Sequence, residues 1–160
     1  MKFEHLIEMN DLQNPLVTPI TREQLWNGLV LRAESPRMFV TYLDDCTITA
    51  RELDGLSRTL HYGELKIVDQ VQFEFLNFVH YHIPAQAEIL QSCLRMSIEE
   101  PQTGALFIRF SYDDGHNEQE DLENVTVNEY RRSAYIEADI DTARVIRELA
   151  AAGRLDSLLS

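Results

Sequence analysis

The sequence is poor in positive charge and in long apolar runs. Its 160 residues include 14 lysines and arginines against 27 aspartates and glutamates, a net charge of −13. A surface this acidic repels phosphate backbones and anionic lipid head groups, so we expect neither nucleic acid nor a membrane as a partner. No apolar run approaches the roughly 20 residues of a membrane-spanning helix.

Cysteine is also scarce. The sequence contains two, Cys46 and Cys93, and their spacing fits neither a metal site nor a redox motif. The first ten residues lack the basic segment and apolar segment of an export signal. We therefore expect reduced, structural thiols and a cytoplasmic protein.

Motifs of catalysis and cofactor binding are missing too. There is no nucleophile elbow of the Gly-x-Ser-x-Gly type, no phosphate-binding loop and no dinucleotide fingerprint. The sequence therefore predicts no catalytic residue, no metal and no cofactor. Its length, with no internal repeat, is sufficient for a full core, and we expect a single domain over residues 1–160.

Alternation of apolar and polar residues predicts seven strands. Short connections rich in Gly, Asn or Pro favour antiparallel hairpins between consecutive strands. The predicted strands cover residues 2–8, 46–53, 56–63, 65–75, 78–83, 88–98 and 105–113.

A helix is predicted between the first two strands. Thr21 and Gln24 have the spacing of a capping box, in which each side chain bonds the other residue's backbone amide. Pro36 ends this helix and permits a short second one over residues 37–42. Trp26 lies on the apolar face of the first helix.

A long helix is predicted at the C-terminal end. Thr126 and Glu129 suggest a second capping box, and residues 127–152 would span about 39 Å as a helix. A helix of that length can cross a whole small sheet. Its predicted inner face consists of Val127, Tyr130, Ala134, Ala138, Val145 and Leu149.

This order predicts an α+β helix-grip fold, a seven-stranded antiparallel sheet wrapped around the long C-terminal helix, with two short helices between strands 1 and 2. Several segments resemble the AtaL-like family of the START/SRPBCC superfamily, which includes the birch-pollen-allergen-like proteins. They are MKFEHLIEMN at 1–10, TREQLWNGLVLRAESP at 21–36, RTLHYGELKIVDQVQF at 58–73 and ARVIRELAAAGRL at 143–155.

The resemblance implies a hydrophobic ligand cavity between sheet and helix, and it covers nearly the whole chain. It implies no catalytic residue, because the family has no agreed catalytic motif. The superfamily holds lipid carriers, hormone receptors and aromatic polyketide cyclases, so the fold leaves the function open.

The hairpin at Gly63-Glu64 places a charged pair on an apolar face. A two-residue type II′ turn there pairs Arg58 with Asp69. In one interpretation Arg58 anchors an acidic or carbonyl group of a ligand and Asp69 orients it. In the other, the two form a partly solvated cross-strand pair at the rim of the sheet.

The histidines do not indicate a metal site. His80 and His82 share one face of a strand whose other face is apolar, so they are predicted to point to solvent without further ligands. His5 is predicted to face inward, neutral and bonded to a backbone carbonyl. The polar segment 113–118 is predicted to be a solvated linker rather than a calcium loop.

Three functions remain open. The first is binding of a small hydrophobic or aromatic molecule in an internal cavity. The alternative is a polyketide cyclase or hydratase that uses Arg58, Asp69 and His5 or a tyrosine as acid or base. The third is an interaction module, a homodimer through the last helix or a sheet edge. The pocket candidates are Arg58, Asp69, Tyr62, Phe73, Tyr81, Met96, Phe110, Tyr112, Trp26 and Tyr130.

Overall fold

The computed structural model describes residues 1–156, which contain a seven-stranded sheet. All neighbouring strands are antiparallel, in the order β1-β7-β6-β5-β4-β3-β2. The strands are β1 (Lys2–Glu8), β2 (Asp45–Glu52), β3 (Gly55–Tyr62), β4 (Leu65–Glu74), β5 (Phe78–Ile83), β6 (Ser92–Gln102) and β7 (Ala105–Asp113).

Three α-helices accompany the sheet within the described residues. They are α1 (Arg22–Glu34), α2 (Glu118–Glu123) and α3 (Val125–Ala151). The second short helix predicted after α1 is only a 3-10 turn, Pro36–Met38. None of these helices is both long enough and apolar enough to span a membrane. The predicted helix-grip architecture is confirmed.

The hairpin between β3 and β4 has the predicted register. Arg58 pairs with Asp69, and Tyr62 pairs with Leu65 next to the turn. Gly63 has a φ of 58°, whereas Glu64 is not among the residues with positive φ. A positive φ at only the first central position is the signature of a type II′ turn, which suits the twist of a hairpin.

One strand differs from its predicted bounds by more than one residue. β6 begins at Ser92 rather than at residue 88 and continues to Gln102. The residues before it form a separate small turn, closed by backbone hydrogen bonds between Gln86 and Ile89. Because those amides are already paired with each other, this segment cannot join the ladder of the sheet.

The capping box of α1 is confirmed. The Thr21 hydroxyl accepts from the Gln24 amide at 3.0 Å, and Oε1 of Gln24 accepts from the Thr21 amide at 2.8 Å. α1 packs on α3 where Gly28 meets Ile146. A Cβ at position 28 would lie 2.9 Å from the Ile146 side chain, so the missing side chain lets the helices approach closely.

The start of the last helix and the N-terminal half of its inner face were predicted wrongly, whereas the predicted inward residues Val145 and Leu149 do pack on the core. Asn117 and Glu120, not Thr126 and Glu129, form the capping box, and they begin α2. Tyr130 is 74% exposed. The residues of α3 that are buried are Asn128, Asp139, Thr142, Ala143, Ile146 and Leu149.

The reason lies in what each half of α3 covers. Its C-terminal half packs on the core through Ala143, Ile146 and Leu149. Its N-terminal half spans a cavity and turns polar side chains inward. Hydrophobic periodicity locates an inner face only where that face packs on an apolar core. Val127 and Tyr130 were therefore wrongly predicted to face inward, and both are exposed.

Candidate functional site: a cavity between sheet and helix

A cavity of about 480 Å³ lies between the concave side of the sheet and α3. Strands β3 to β7 form its wall, and α1 and α3 close the other side. The aliphatic part of the lining consists of Leu60, Ile83, Ile89, Leu90 and Leu94, and the aromatic part of Tyr81, Tyr112 and Tyr135. Three arginines, Arg32, Arg58 and Arg131, also reach the cavity.

Arg58 and Asp69 form an ion pair in the cavity wall. The guanidinium Nε and Nη2 atoms donate to the two Asp69 oxygens at 2.9 and 2.5 Å, and Nη1 donates to the carbonyl of Ala33 at 2.8 Å. The two residues are 3% and 2% exposed. Burial opposes the charge of Arg58, but the hydrogen bonds and charge of Asp69 outweigh it and raise the arginine pKa. The pair is therefore not at a solvated rim.

The Tyr81 ring is in contact with two guanidinium groups. The ring centroid is 5.0 Å from the guanidinium carbon of Arg58 and 5.4 Å from that of Arg32. Both distances are within the range of cation–π attraction. The side chain is buried, and its hydroxyl has no hydrogen-bond partner within residues 1–156. An unpaired buried hydroxyl is unfavourable by about 1–3 kcal/mol.

Tyr112 belongs to a buried network that joins β1, β7 and α3. Its hydroxyl donates to Oδ1 of Asp139, and Oδ2 of the same carboxylate lies 3.2 Å from Nδ1 of His5. Burial raises the pKa of Asp139, although the bonds from Tyr112 and His5 act in the opposite sense. Burial, followed by the charge of Asp139, also raises the pKa of the Tyr112 phenol. Tyr112 is therefore held protonated at the cavity wall.

Tyr135 covers the same end of the cavity from α3. Its ring stacks on Tyr112 with centroids 4.0 Å apart and planes inclined by 9°. Phe3 packs against both rings at 6.2 Å. This aromatic cluster gives that end of the cavity a flat, rigid surface, which suits a flat apolar ligand.

Two loops form the mouth of the cavity, residues 88–90 and 113–116. Gly115 has a φ of 83°, and a Cβ there would overlap the carbonyl oxygen of Gln91. Asp114 ties the second loop to the N-terminal amine of Met1 and to Arg131. Close backbone packing and ion pairs therefore hold the mouth together, so segment 113–118 is more than a solvated linker.

The predicted pocket residues separate into three groups. Arg58, Asp69, Tyr81 and Tyr112 line the cavity. Trp26, Phe73, Met96 and Phe110 belong to the hydrophobic core or pack on it, so they support the wall without lining it. Tyr62 and Tyr130 do not line the cavity. Tyr62 is half-buried beside Tyr42, and the side chain of Tyr130 is exposed.

Sequence reasoning missed the polar face of α3. Asn128, Arg131, Tyr135, Asp139 and Thr142 follow one another at intervals of three or four residues, which places them on one side of a helix. Each of them is buried or contacts the cavity. A search for polar as well as apolar periodicity would have found this stripe. For Arg32, in contrast, no pattern in the neighbouring sequence indicates that its side chain reaches the cavity.

The histidines differ in their surroundings. His5 faces inward as predicted, but its partner is the carboxylate of Asp139 and not a backbone carbonyl. His80 lies on the other face of the sheet, where Nδ1 accepts from Nε of Arg95 at 3.2 Å. Within residues 1–156 no group of three or more His, Cys, Asp or Glu is arranged to hold a metal ion.

The fold is similar to several solved structures. The di-domain ARO/CYC StfQ from the steffimycin biosynthetic pathway matches with a TM-score of 0.70 and 7% identity over 94% of this chain and 51% of its own, so this chain spans about half of StfQ. The ZhuI aromatase/cyclase from Streptomyces sp. R1128 matches at 0.62 and 10% identity, over 94% and 93%. Ara h 8.0201 matches at 0.56 and 12% identity, over 95% and 98%.

These likenesses establish the fold. The comparison with curated proteins gives no match. A family model, described as acetylaranotin biosynthesis cluster protein L, matches residues 7–153. Since that match covers most of the sequence, the chain belongs to the AtaL family.

Proposed function

We propose that this protein binds a small, largely apolar or aromatic molecule in the cavity between the sheet and α3. The observation that carries the proposal is the cavity itself, about 480 Å³ in volume, with aliphatic and tyrosine walls and a few fixed polar groups. Ligand sites typically have volumes of about 300–1,000 Å³ and this mixture of lining groups.

Native mass spectrometry of protein purified from its own host tests this function. We expect a retained small molecule, or saturable binding of a hydrophobic fluorescent probe that such a molecule displaces. A matched pair of variants locates the site. Leu94→Trp fills part of the cavity and is expected to abolish binding, whereas Val127→Trp on the exposed face of α3 is expected to leave it unchanged. Absence of saturable binding with every probe would refute the proposal.

A second candidate function is a cyclase or hydratase in the same cavity. The observation in its favour is the Tyr112–Asp139 hydrogen bond, which holds a protonated phenol at the cavity wall. Ring closure with loss of water needs a proton delivered to the departing oxygen. Tyr112 can deliver it when Asp139 is protonated, because the carboxyl then passes its own proton to the phenol oxygen and remains as the carboxylate. Arg58 and Asp69 are less suited to proton transfer, because each already saturates the other.

Turnover of a linear poly-β-keto thioester analogue tests the second candidate. If the protein is a cyclase, mass and absorbance spectra will show a dehydrated ring product. Tyr112→Phe should then slow its formation by about 10²-fold or more. Tyr130→Phe, which changes an exposed tyrosine of α3, serves as the matched control. A product yield equal to that in buffer alone would eliminate this candidate and leave the binding function standing.

A homodimer is also proposed, with the exposed apolar residues Leu122, Val125 and Tyr130 of α2 and α3 as its surface. Light scattering at high concentration measures the mass directly. A mass equal to one chain would reject the dimer.

A further inference from the structure

Arg32 is the one cavity arginine that has no carboxylate partner within residues 1–156. It lies in the last turn of α1, where Nε donates to Oγ1 of Thr142 at 3.1 Å. The other two differ, because Arg58 is paired with Asp69 and Arg131 with Asp114. Nη1 and Nη2 of Arg32 make no hydrogen bond to any described residue, so their N–H groups are left for the contents of the cavity.

Asp139, a buried acid whose carboxyl feels the charge of Arg32, does not bind these donors. Asp139 is 1% exposed, but Oδ1 already accepts from Tyr112 and Oδ2 lies beside His5. No oxygen of Asp139 is within 4.0 Å of Arg32, although the guanidinium charge acts on the carboxyl from a longer distance. Both oxygens of Asp139 thus already have partners in Tyr112 and His5. Nη1 and Nη2 of Arg32 remain without a hydrogen-bond acceptor among the described residues.

We infer that the ligand carries an anionic oxygen group, such as a carboxylate or an enolate, that binds to Nη1 and Nη2 of Arg32. This inference rests on the proposed binding function and names the class of its ligand. The planar fork of a guanidinium matches two oxygens in one plane and makes strong charge-assisted hydrogen bonds. The apolar body of the ligand then packs against Leu60, Ile83 and Leu94.

Tyr81 gives independent support for a polar group at this point. Its buried hydroxyl has no partner among the described residues, and its ring lies beside the same guanidinium. If positions 32 and 81 held apolar residues, this end of the cavity would suit only a hydrocarbon group. Arg32 and Tyr81 instead place hydrogen-bond donors there.

The charge of the rest of the molecule makes the inference testable. The net charge is −13, and Glu88 and Asp113 lie at the mouth. General electrostatics therefore disfavours an anion. A preference for an anionic ligand over a neutral one of the same shape must come from local donors inside the cavity.

Anilinonaphthalene sulfonate and phenylnaphthylamine, which share one ring skeleton with and without the acid group, are suitable probes. We expect the wild-type protein to bind the sulfonate at least about tenfold more tightly. Arg32→Gln should remove about tenfold or more of that affinity and change the affinity for the neutral probe by less than about twofold. Arg144→Gln removes the same charge from the exposed side of α3 and should change neither.

Displacement by small acids gives the same comparison without any variant, should Arg32→Gln fail to fold. Naphthoate is expected to displace the neutral probe at a concentration about tenfold lower than naphthamide does. Equal displacement, or equal loss of both probes in Arg32→Gln, would overturn the inference and leave the binding function intact. Failure of both probes to bind saturably would overturn the binding function itself.

Discussion

Arg58 and Asp69 lie directly opposite each other on β3 and β4 and are joined by two hydrogen bonds within a buried part of the cavity wall. The third donor of the guanidinium reaches back to Ala33 at the end of α1. The pair therefore connects the sheet to the helix that carries Arg32. A charge in such a place is favourable only while its partner is present.

Asp69→Asn is expected to destabilise the protein by about 3–5 kcal/mol, because it leaves the Arg58 charge buried without a counter-ion. The double variant Arg58→Met with Asp69→Leu should recover most of that loss, since apolar groups of similar size need no partner. Urea denaturation measures both. Glu148→Gln, which breaks an exposed pair with Arg144, should cost less than about 1 kcal/mol. Equal losses for the buried single and double variants would contradict this account.

Tyr81→Phe is expected to raise the free energy of unfolding of the ligand-free protein by about 1–3 kcal/mol, because the buried hydroxyl that it removes is unpaired. The same variant should bind an anionic probe more weakly if that hydroxyl donates to the ligand. Denaturation and probe titration report the two effects separately. Tyr112→Phe is the contrasting variant, since its hydroxyl is bonded to Asp139 and its loss should cost about 1–3 kcal/mol.

The pH dependence of stability should reveal Asp139. Burial raises the pKa of this carboxyl above the ordinary 3.8, so the folded state holds the proton more tightly than the unfolded state. Its contribution to stability therefore falls as pH rises from the unfolded-state pKa and levels off above the folded-state pKa. Asp139→Asn removes this dependence.

Urea denaturation at a series of pH values tests that behaviour. The stability of Asp139→Asn relative to the wild type should increase as pH rises through this window and then become constant. Tyr112→Phe removes a bond that lowers the folded-state pKa of Asp139 and should therefore extend the upper end of the window to higher pH. A difference between Asp139→Asn and the wild type that does not change with pH would show that the carboxyl has the same pKa folded and unfolded.

Gly115→Ala should disturb the mouth of the cavity. The new Cβ would overlap the carbonyl oxygen of Gln91, and the φ of 83° is itself strained for alanine. Gly63→Ala provides the control, because its φ is 58° and nothing lies within 4 Å of the added Cβ. We expect about 1–3 kcal/mol for Gly63→Ala from the backbone alone. Gly115→Ala should lose more and should also release a bound probe faster.

Much of the fold follows from local patterns in the sequence. Period-two alternation and one Gly-Glu turn specify the β3–β4 register, because a shift by one residue would turn every apolar side chain to the wrong face. This register alone pairs Arg58 with Asp69, since the two are equally far from the turn. The capping box at Thr21 defines the start of α1 by the same kind of short-range chemistry.

Two predictions from the sequence stay predictions. The single domain was predicted to include residues 157–160, which lie outside the described residues, and the cytoplasmic location is not tested by the structure.

The rest of the site depends on contacts between distant parts of the chain. His5 and Asp139 meet across a separation of 134 residues, and Arg32 and Thr142 across 110. Both contacts depend on how α3 is rotated about its own axis. The apolar residues of α3 do not reveal this rotation, because the N-terminal half of the helix faces a cavity instead of a core. The sequence by itself therefore determined the sheet, the two main helices and the pairing of Arg58 with Asp69, whereas the burial of that pair is a result of the tertiary structure. Only the packing of α3 across the sheet decided which polar side chains surround the cavity and left Arg32 without a carboxylate partner among the described residues.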